Sequence, residues 1–493
     1  VLAPDDLTAV AALSCVIGIT PLSRTVVRPP DRSSETPGPV SPARPIAPGT
    51  GGIVTSGQGG GHNATGQFDA DFYGFSWEQC LALQVPELHE QGLTGEGVIV
   101  GVLDSGFRFG HEAMPDSLVI DSYDFVNDDA NVENEAGDPS NAWNHGTRVW
   151  GTIAAWYPGT LVGPAFGAEF LLAKTEDEGS ETVAEEDNWI AAIEWMEARG
   201  VDVTNTSLGY YDWYSYRDMD GDTAPITRAA DAAAARGVVV VTSAGNEGEY
   251  PVPDPDAMPL VHYIGAPADG DSVIAVGATY SNGVRVSFSS HGPTFDGRIK
   301  PDVMARGVDV ASVSPTNLSG YNLTLDGTSF SSPLVTGVVA LLLEAHPEWD
   351  PMKILLVLRA TGDRSANLNA GLPDNDYGWG SIRGAAAAAY GEIPTPPEGV
   401  LVFFNYPNPF ETETTFVCSV PAAGEGRILV FTRAGTLVRS LGSDDGVRFT
   451  EEGAHEVAWD GRNDAGDLLA TGVYHAVLVF EGVRARTTLL KIR

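Results

Sequence analysis

Asp104 closes the run VIVGVLDSG, His145 stands near the start of NHGTRVWGTIAAW, Asn246 lies in VVVVTSAGNEG and Ser329 in LDGTSFSSPLVTG. A carboxylate at the end of a buried strand is positioned by its backbone, where open α/β sheets bind ligands. An imidazole at a helix start titrates near neutrality and can act as a general base. A side-chain amide after two small residues is a neutral donor suited to a developing oxyanion. A serine opening a helix feels the positive end of the dipole and the unpaired N–H groups there. Together the set could activate a hydroxyl for attack on a carbonyl. Singly, each also fits an ordinary role: a turn or cap for Asp104, a structural ring for His145, a left-handed turn for Asn246, an N-cap for Ser329.

The elements that must hold these residues alternate between strand and helix from Phe68 to about Tyr390. Gly97–Leu103, Glu169–Ala173, Val201–Ser207, Val238–Thr242 and Ser272–Gly277 read as strands. The first is nearly all apolar, as in a strand buried on both faces. Ser180 is expected to cap a helix to about Arg199, with Gly200 as its stop. An Ala-rich helix precedes Gly237, and Val335–Ala345 reads as a buried apolar helix. Alternation of this kind predicts a mainly parallel sheet covered by helices.

The chain has 493 residues, of which 43% are hydrophobic, enough for a sizeable core. Its 28 Lys and Arg against 66 Asp and Glu give a net charge of −38. Nucleic acid and a polybasic membrane-surface role are excluded as partners, because both need clustered basic residues. An acidic, lysine-poor surface fits either a salty medium or an ordinary acidic exported protein. Cys15, Cys80 and Cys418 are too scattered for a disulfide framework and are expected to be free thiols. No apolar run reaches the roughly 20 residues of a membrane span. Residues 1–22 read as a truncated export signal, 23–66 as a Pro/Gly/Ser-rich disordered linker and 393–400 as a Pro-rich spacer. Residues 1–66 carry too little apolar pattern for a folded pro-region.

In chain order the chemical residues run Asp104, His145, Asn246, Ser329. With DSG, HGT, SAGN and GTSFSSP, and with NTSLG, FSSHGP and KPDVMARG beside them, residues 93–390 resemble the subtilisin-like serine peptidases. The resemblance implies a three-layer α/β fold over 67–392 and hydrolysis of peptide bonds in proteins. It implies Ser329 as nucleophile, His145 as general base and acid, Asp104 as the group orienting the imidazole, and Asn246 in the oxyanion hole. It implies that Ser207, Leu208 and Gly209 pair with an extended substrate. Ala244, Gly245 and Gly265 would line the pocket beside the scissile bond, with room for a bulky side chain and an apolar or broad preference. Arg148, Trp150, Phe330 and Leu334 depart from common family residues, at positions expected to leave the chemistry alone.

No cofactor is required for such chemistry. Asp218, Asp220 and Asp222 surround Gly221, a spacing that calcium favours, though an acidic helix cap fits equally. Residues 401–493 change to short alternating stretches and predict a small antiparallel sandwich. NYPNPF, VFTRAGTLVRSL and HEVAWDGRNDAGDLLATGVYHAVL resemble the Ig-like sorting domain of the type IX (Por) secretion system. That implies export by outer-membrane secretion machinery to the medium or cell surface of a Gram-negative bacterium. A generic Ig-like spacer is the alternative.

Overall fold

The computed structural model describes residues 68–180, 182–249, 264–366, 373–390 and 402–491, the last with short gaps at 407–409, 411, 421, 433–435, 443–446, 451–452 and 482. Cys15, the expected export signal, both expected linkers and the region before Phe68 lie outside these residues.

Among the described residues nine strands precede residue 307: β1 (Ile99–Asp104), β2 (Val119–Asp124), the short hairpin β3 (Trp156–Tyr157) with β4 (Leu161–Val162), β5 (Glu169–Lys174), β6 (Val203–Thr206), β7 (Val239–Ser243), β8 (Ile274–Thr279) and β9 (Val303–Arg306). Seven of them form one sheet in the order β2-β5-β1-β6-β7-β8-β9. Every pairing in it is parallel. Alternating side chains of a strand serve opposite faces. Val100 and Val102 accordingly join one core with Phe170, Leu172, Val239 and Val241. Leu103 joins the other with Leu171, Ala173 and Val240. Helices Asn144–Ala154, Thr328–Ala345 and Pro351–Thr361 cover the first face, and Ala184–Glu197 with Pro225–Ala234 the second. The result is the expected three-layer α/β architecture.

Some boundaries differ from expectation. The helix expected from Ser180 begins at Ala184, and Val183 offers it no side-chain cap. Val335–Ala345 is the second half of a helix that starts at Thr328 and carries Pro333 inside it. That helix is long and apolar enough to cross a membrane by length and composition, but 83% of its apolar window is buried in the fold. The hairpin β10 (Val310–Val313) with β11 (Tyr321–Leu325) follows the sheet.

The C-terminal region holds β12 (Val402–Tyr406), β13 (Thr414–Val420), β14 (Gly424–Thr432), β15 (Leu437–Leu441), β16 (Val447–Phe449), β17 (Gly453–Trp459), β18 (Gly472–Phe480) and β19 (Val483–Lys491). They form two antiparallel sheets, β12-β13-β17 and β15-β14-β18-β19, with β16 added to β14. Phe416 and Trp459 from the first share one core with Ile428, Val430 and Leu478 from the second. This region is therefore a sandwich with its own core. Cys80 and Cys418 are free and buried, and burial pushes each thiol up to about 12.

Candidate active site

Because the sheet is parallel, the carboxyl ends of its central neighbours β1, β6 and β7 lie along one edge. Asp104 is the last residue of β1, Ser207 follows β6, and Gly245-Asn246 follow β7 after Ala244. Asp104 is fully buried. Its Oδ1 accepts from Ser105 N at 2.8 Å and lies 2.7 Å from His145 Nδ1. Its Oδ2 is buried without a partner among the described residues. His145 is the second residue of its helix, and that helix can approach β1 closely because the next residue is Gly146. A Cβ at Gly146 would overlap Gly106 O and lie 3.0 Å from Asp104 Cβ. The His145 side chain stays 30% exposed, so one edge of the ring faces solvent.

Ser329 lies in the first turn of its helix. The Phe330 ring beside it has its centroid 6.0 Å from that of His145. Ser329 Oγ donates to Ser207 O at 3.2 Å, and among the described residues no hydrogen bond joins it to His145. Catalytic hydrogen bonds are often long or misaligned until substrate binds. Asn246 Oδ1 accepts from Thr328 N at 2.9 Å and Thr328 Oγ1 at 3.0 Å. With two donors on Oδ1, Nδ2 is the end left to donate. Gly327 has φ +143°, and a Cβ there would sit 3.6 Å from Ser329 N and 3.8 Å from Asn246 Nδ2. The backbone N–H of Ser329 and the amide of Asn246 thus border the same small space.

Comparison with known proteins fits this geometry. The Subtilase family profile matches residues 95–380. The chain belongs to the subtilase family. Subtilisin E of Bacillus subtilis (strain 168) is 35% identical over 309 residues, covering 62% of this chain and 69% of the relative. Subtilisin of Bacillus pumilus is 35% identical over 282 residues, covering 57% of this chain and 88% of the relative. Among solved structures, a protease of Pseudoalteromonas arctica PAMC 21717 aligns with TM-score 0.51 and 23% identity over 65% of this chain and 98% of its own. The MycP3 protease of the type VII (ESX-3) secretion system aligns with TM-score 0.53 and 23% identity over 66% and 90%. The last two speak for the fold alone. This subtilase is a serine endopeptidase, and its hydrolysis of peptide bonds requires no cofactor.

In this subtilase, burial disfavours the charged His145 ring, but the Asp104 carboxylate and its hydrogen bond outweigh burial. Glu178 adds to them, Arg148 opposes, and the net shift is upward. Arg148 Nε donates to Asn322 Oδ1 at 3.2 Å, and Trp150 is fully buried beside Phe107 and Phe170. Leu334 is a core residue.

The expected substrate-binding residues come together. Ser207 Oγ donates to Ser329 O at 2.9 Å, and Leu208 O accepts from Ser243 Oγ at 3.4 Å. Ala244 N donates to Val276 O at 2.9 Å, and Gly245 N to Thr328 Oγ1 at 3.2 Å. Beside Gly245 and Gly265, two of the residues expected to line the pocket, and beside Gly209 of the expected pairing segment, stands one side chain. The Tyr211 ring lies against all three, a residue not singled out from sequence.

Two of the carboxylates expected as calcium donors are engaged within their own loop. Asp218 Oδ2 accepts from Ser215 N at 2.8 Å and Ser215 Oγ at 2.7 Å, capping a single turn of 3-10 helix. Asp220 Oδ1 accepts from Asp222 N at 3.0 Å and Thr223 N at 2.8 Å. These oxygens serve the loop itself. Among the described residues no group of three or more His, Cys, Asp or Glu could hold a metal. Nor does Asp222 cap the next helix, which starts at Pro225 after Ala224.

Two other contributors escaped the sequence reading. Asn205 Nδ2 donates to Ser207 Oγ at 2.9 Å, while its Oδ1 accepts from Ser332 and Thr336 on the Ser329 helix. Its signal was its place in NTSLG, at the end of a buried strand. Glu247 Oε2 accepts from Asn246 N at 2.6 Å.

Proposed function

We propose that Ser329 attacks the peptide carbonyl while His145 takes its proton and returns it to the leaving amine. Asp104 holds the imidazole by Nδ1, leaving Nε2 as the base, and stabilises the imidazolium that forms. Asn246 Nδ2 and Ser329 N–H donate to the oxyanion of the tetrahedral intermediate. The observation that carries this reading is the 2.7 Å approach of His145 Nδ1 to Asp104 Oδ1 at the sheet edge where Ser329 opens its helix. The Ser207–Gly209 segment, next to Ser329, is well placed to pair with an extended substrate through its main chain. The acyl-enzyme then forms on Ser329 and is hydrolysed by water.

The test is casein hydrolysis by the full chain beside Ser329→Ala, with fluorophosphonate labelling of each. In subtilisin, loss of the serine or the histidine lowers kcat by roughly 10⁶. A loss of that order, with labelling abolished, is expected here. A folded chain that neither cleaves nor labels would contradict the assignment.

We further propose that the enzyme acts outside the cell and that residues 401–493 are an Ig-like sorting module read by outer-membrane secretion machinery of a Gram-negative bacterium. The self-contained core of the C-terminal sandwich and the Pro-rich sequence before it support this reading. Deletion of 401–493 in such a host should keep the protease out of the medium. Unchanged secretion would leave the sandwich as a spacer.

A further inference from the structure

Three glycines that border the reaction site share one neighbour. A Cβ on Gly209 would lie 2.8 Å from Tyr211 Cε2 and from its hydroxyl oxygen. A Cβ on Gly265 would overlap the ring at Cε1 and Cζ, and one on Gly245 would overlap the Tyr211 hydroxyl. The ring therefore runs between Gly209 and Gly265, with its hydroxyl reaching Gly245. No larger residue could stand at any of the three without displacing it. The preceding residue is pinned: Tyr210 N donates to Ala266 O at 2.9 Å and Tyr210 O accepts from Ala266 N at 3.4 Å. At the far end, the Tyr211 hydroxyl and Glu247 Oε2 crowd the same point beside Gly245, and burial first, then the Glu247 charge, raises the tyrosine pKa. Glu247 Oε2 accepts from Ser290 Oγ at 3.1 Å.

We propose that Tyr211 sets the substrate specificity of this site by filling the pocket beside the scissile bond, so that the enzyme cleaves after Gly, Ala and Ser rather than after aromatic or long aliphatic residues. The inference rests on the catalytic reading above, with Gly245 and Gly265 lining the pocket beside the scissile bond and Gly209 in the segment that pairs with substrate. A phenol in that slot excludes a second ring by volume, so only small side chains are accepted beside it. The same carboxylate that meets the phenol also accepts from the backbone N–H of Asn246, so the filled pocket and the oxyanion donor share one support.

The test uses peptide p-nitroanilides that differ only in the residue before the scissile bond, Ala or Phe, with the full chain and its Tyr211→Gly and Tyr211→Phe variants. Fluorophosphonate labelling of Ser329 reports independently that the site is assembled. The wild type is expected to favour Ala, and Tyr211→Gly to raise the Phe-to-Ala ratio of kcat/KM by about 100-fold or more, the scale of discrimination a pocket exerts over several methylenes. Tyr211→Phe keeps the ring and should keep the Ala preference. A wild type that labels yet prefers Phe overturns the proposal, as does a labelled Tyr211→Gly with an unchanged ratio. If Tyr211→Gly does not fold, mass-spectrometric mapping of wild-type cuts in casein decides: cuts after small residues support the proposal and cuts after Phe, Tyr or Leu overturn it. A wild type that takes no label removes the catalytic reading itself, and the proposal with it.

Discussion

Ser207 and Ser329 exchange hydrogen bonds: Ser207 Oγ donates to Ser329 O at 2.9 Å, and Ser329 Oγ donates to Ser207 O at 3.2 Å. The first bond repairs a defect in the helix. The residue four positions after Ser329 is Pro333, which has no N–H to give to Ser329 O. Asn205 orients the donor from behind through its 2.9 Å bond to Ser207 Oγ. Ser207→Ala should leave a partly buried acceptor unpaired, at about 1–3 kcal/mol of stability. Pro333→Ala restores an N–H at the helical position and should recover part of that loss in the double variant. Urea unfolding of the two single variants and the double is the measurement; strictly additive effects would show that the bonds are independent.

Thr328 spends both its donors on Asn246, which fixes the orientation of the amide. Asn246→Ala is expected to lower kcat by about 10²–10³ with little change in KM, since the bond it removes forms in the transition state. Thr328→Val removes only one of the two restraints and should lower kcat less. Equal losses in kcat and in substrate binding would place Asn246 outside the oxyanion site.

Much of this was legible in the sequence because the relevant signals are local. β1 reads as a buried strand since both its faces enter cores. β2 went unread because its pattern does not alternate: apolar Ile120 is exposed beside Asp121, and polar Asp124 is buried. β15 and β16 are short, and neither shows clean alternation. Only the apolar half of the Thr328–Ala345 helix, Val335–Ala345, is legible as buried. Its first half holds Ser329 and Pro333, and the bond Pro333 cannot give is supplied by Ser207, 122 residues away. Tyr211 was missed for the same reason. Its meaning comes from Gly245 and Gly265, which only the fold brings to its ring.

The pH dependence of activity follows from His145. The base must be neutral, and its pKa is raised, so kcat/KM climbs with pH through a value above that of an ordinary histidine. Glu178 contributes to the rise by favouring imidazolium. Glu178→Gln should therefore move the acid limb to lower pH. Glu178 is exposed, so the displacement should shrink in high salt. A displacement to higher pH, or one indifferent to salt, would contradict the electrostatic account.

Asp302 is fully buried between two cations. Its Oδ2 lies 2.8 Å from Lys300 Nζ and accepts from Ala275 N at 2.8 Å, and its Oδ1 pairs with Arg359. Burial alone would raise its pKa, but Lys300 and Arg359 hold it below the usual carboxylate range. Asp302→Ala would leave the buried Lys300 ammonium with Val273 O as its nearest acceptor. Breaking a buried pair from one side costs about 3–5 kcal/mol. Urea unfolding should show a loss of that size for Asp302→Ala and a smaller one for Lys300→Met with Asp302→Leu. A single-variant loss below about 1 kcal/mol would mean the pair is screened, as at a surface.

Glu176 gives stability a dependence on pH of the opposite sign to Asp302. Burial raises its pKa to about 8, and Glu185 adds to the shift although Tyr210 and Thr175 donate to the carboxylate. A carboxyl group whose folded pKa exceeds its unfolded one favours the folded state when protonated. That contribution is complete below the unfolded value of 4.5 and is lost as pH rises through about 8. Glu186, raised to about 7, and Asp269, raised to about 6, act in the same direction. Self-repulsion from the net charge of −38 can only add to it. Thermal unfolding followed from about pH 5 to about pH 9 should show the wild type losing Tm, and Glu176→Gln losing less, so that the gap moves in favour of the variant as pH rises. Glu178, which is exposed but also raised by burial, should show a smaller gap of the same sign when replaced by Gln. Parallel curves for Glu176→Gln and the wild type would show that Glu176 is already ionised in the folded protein at pH 5.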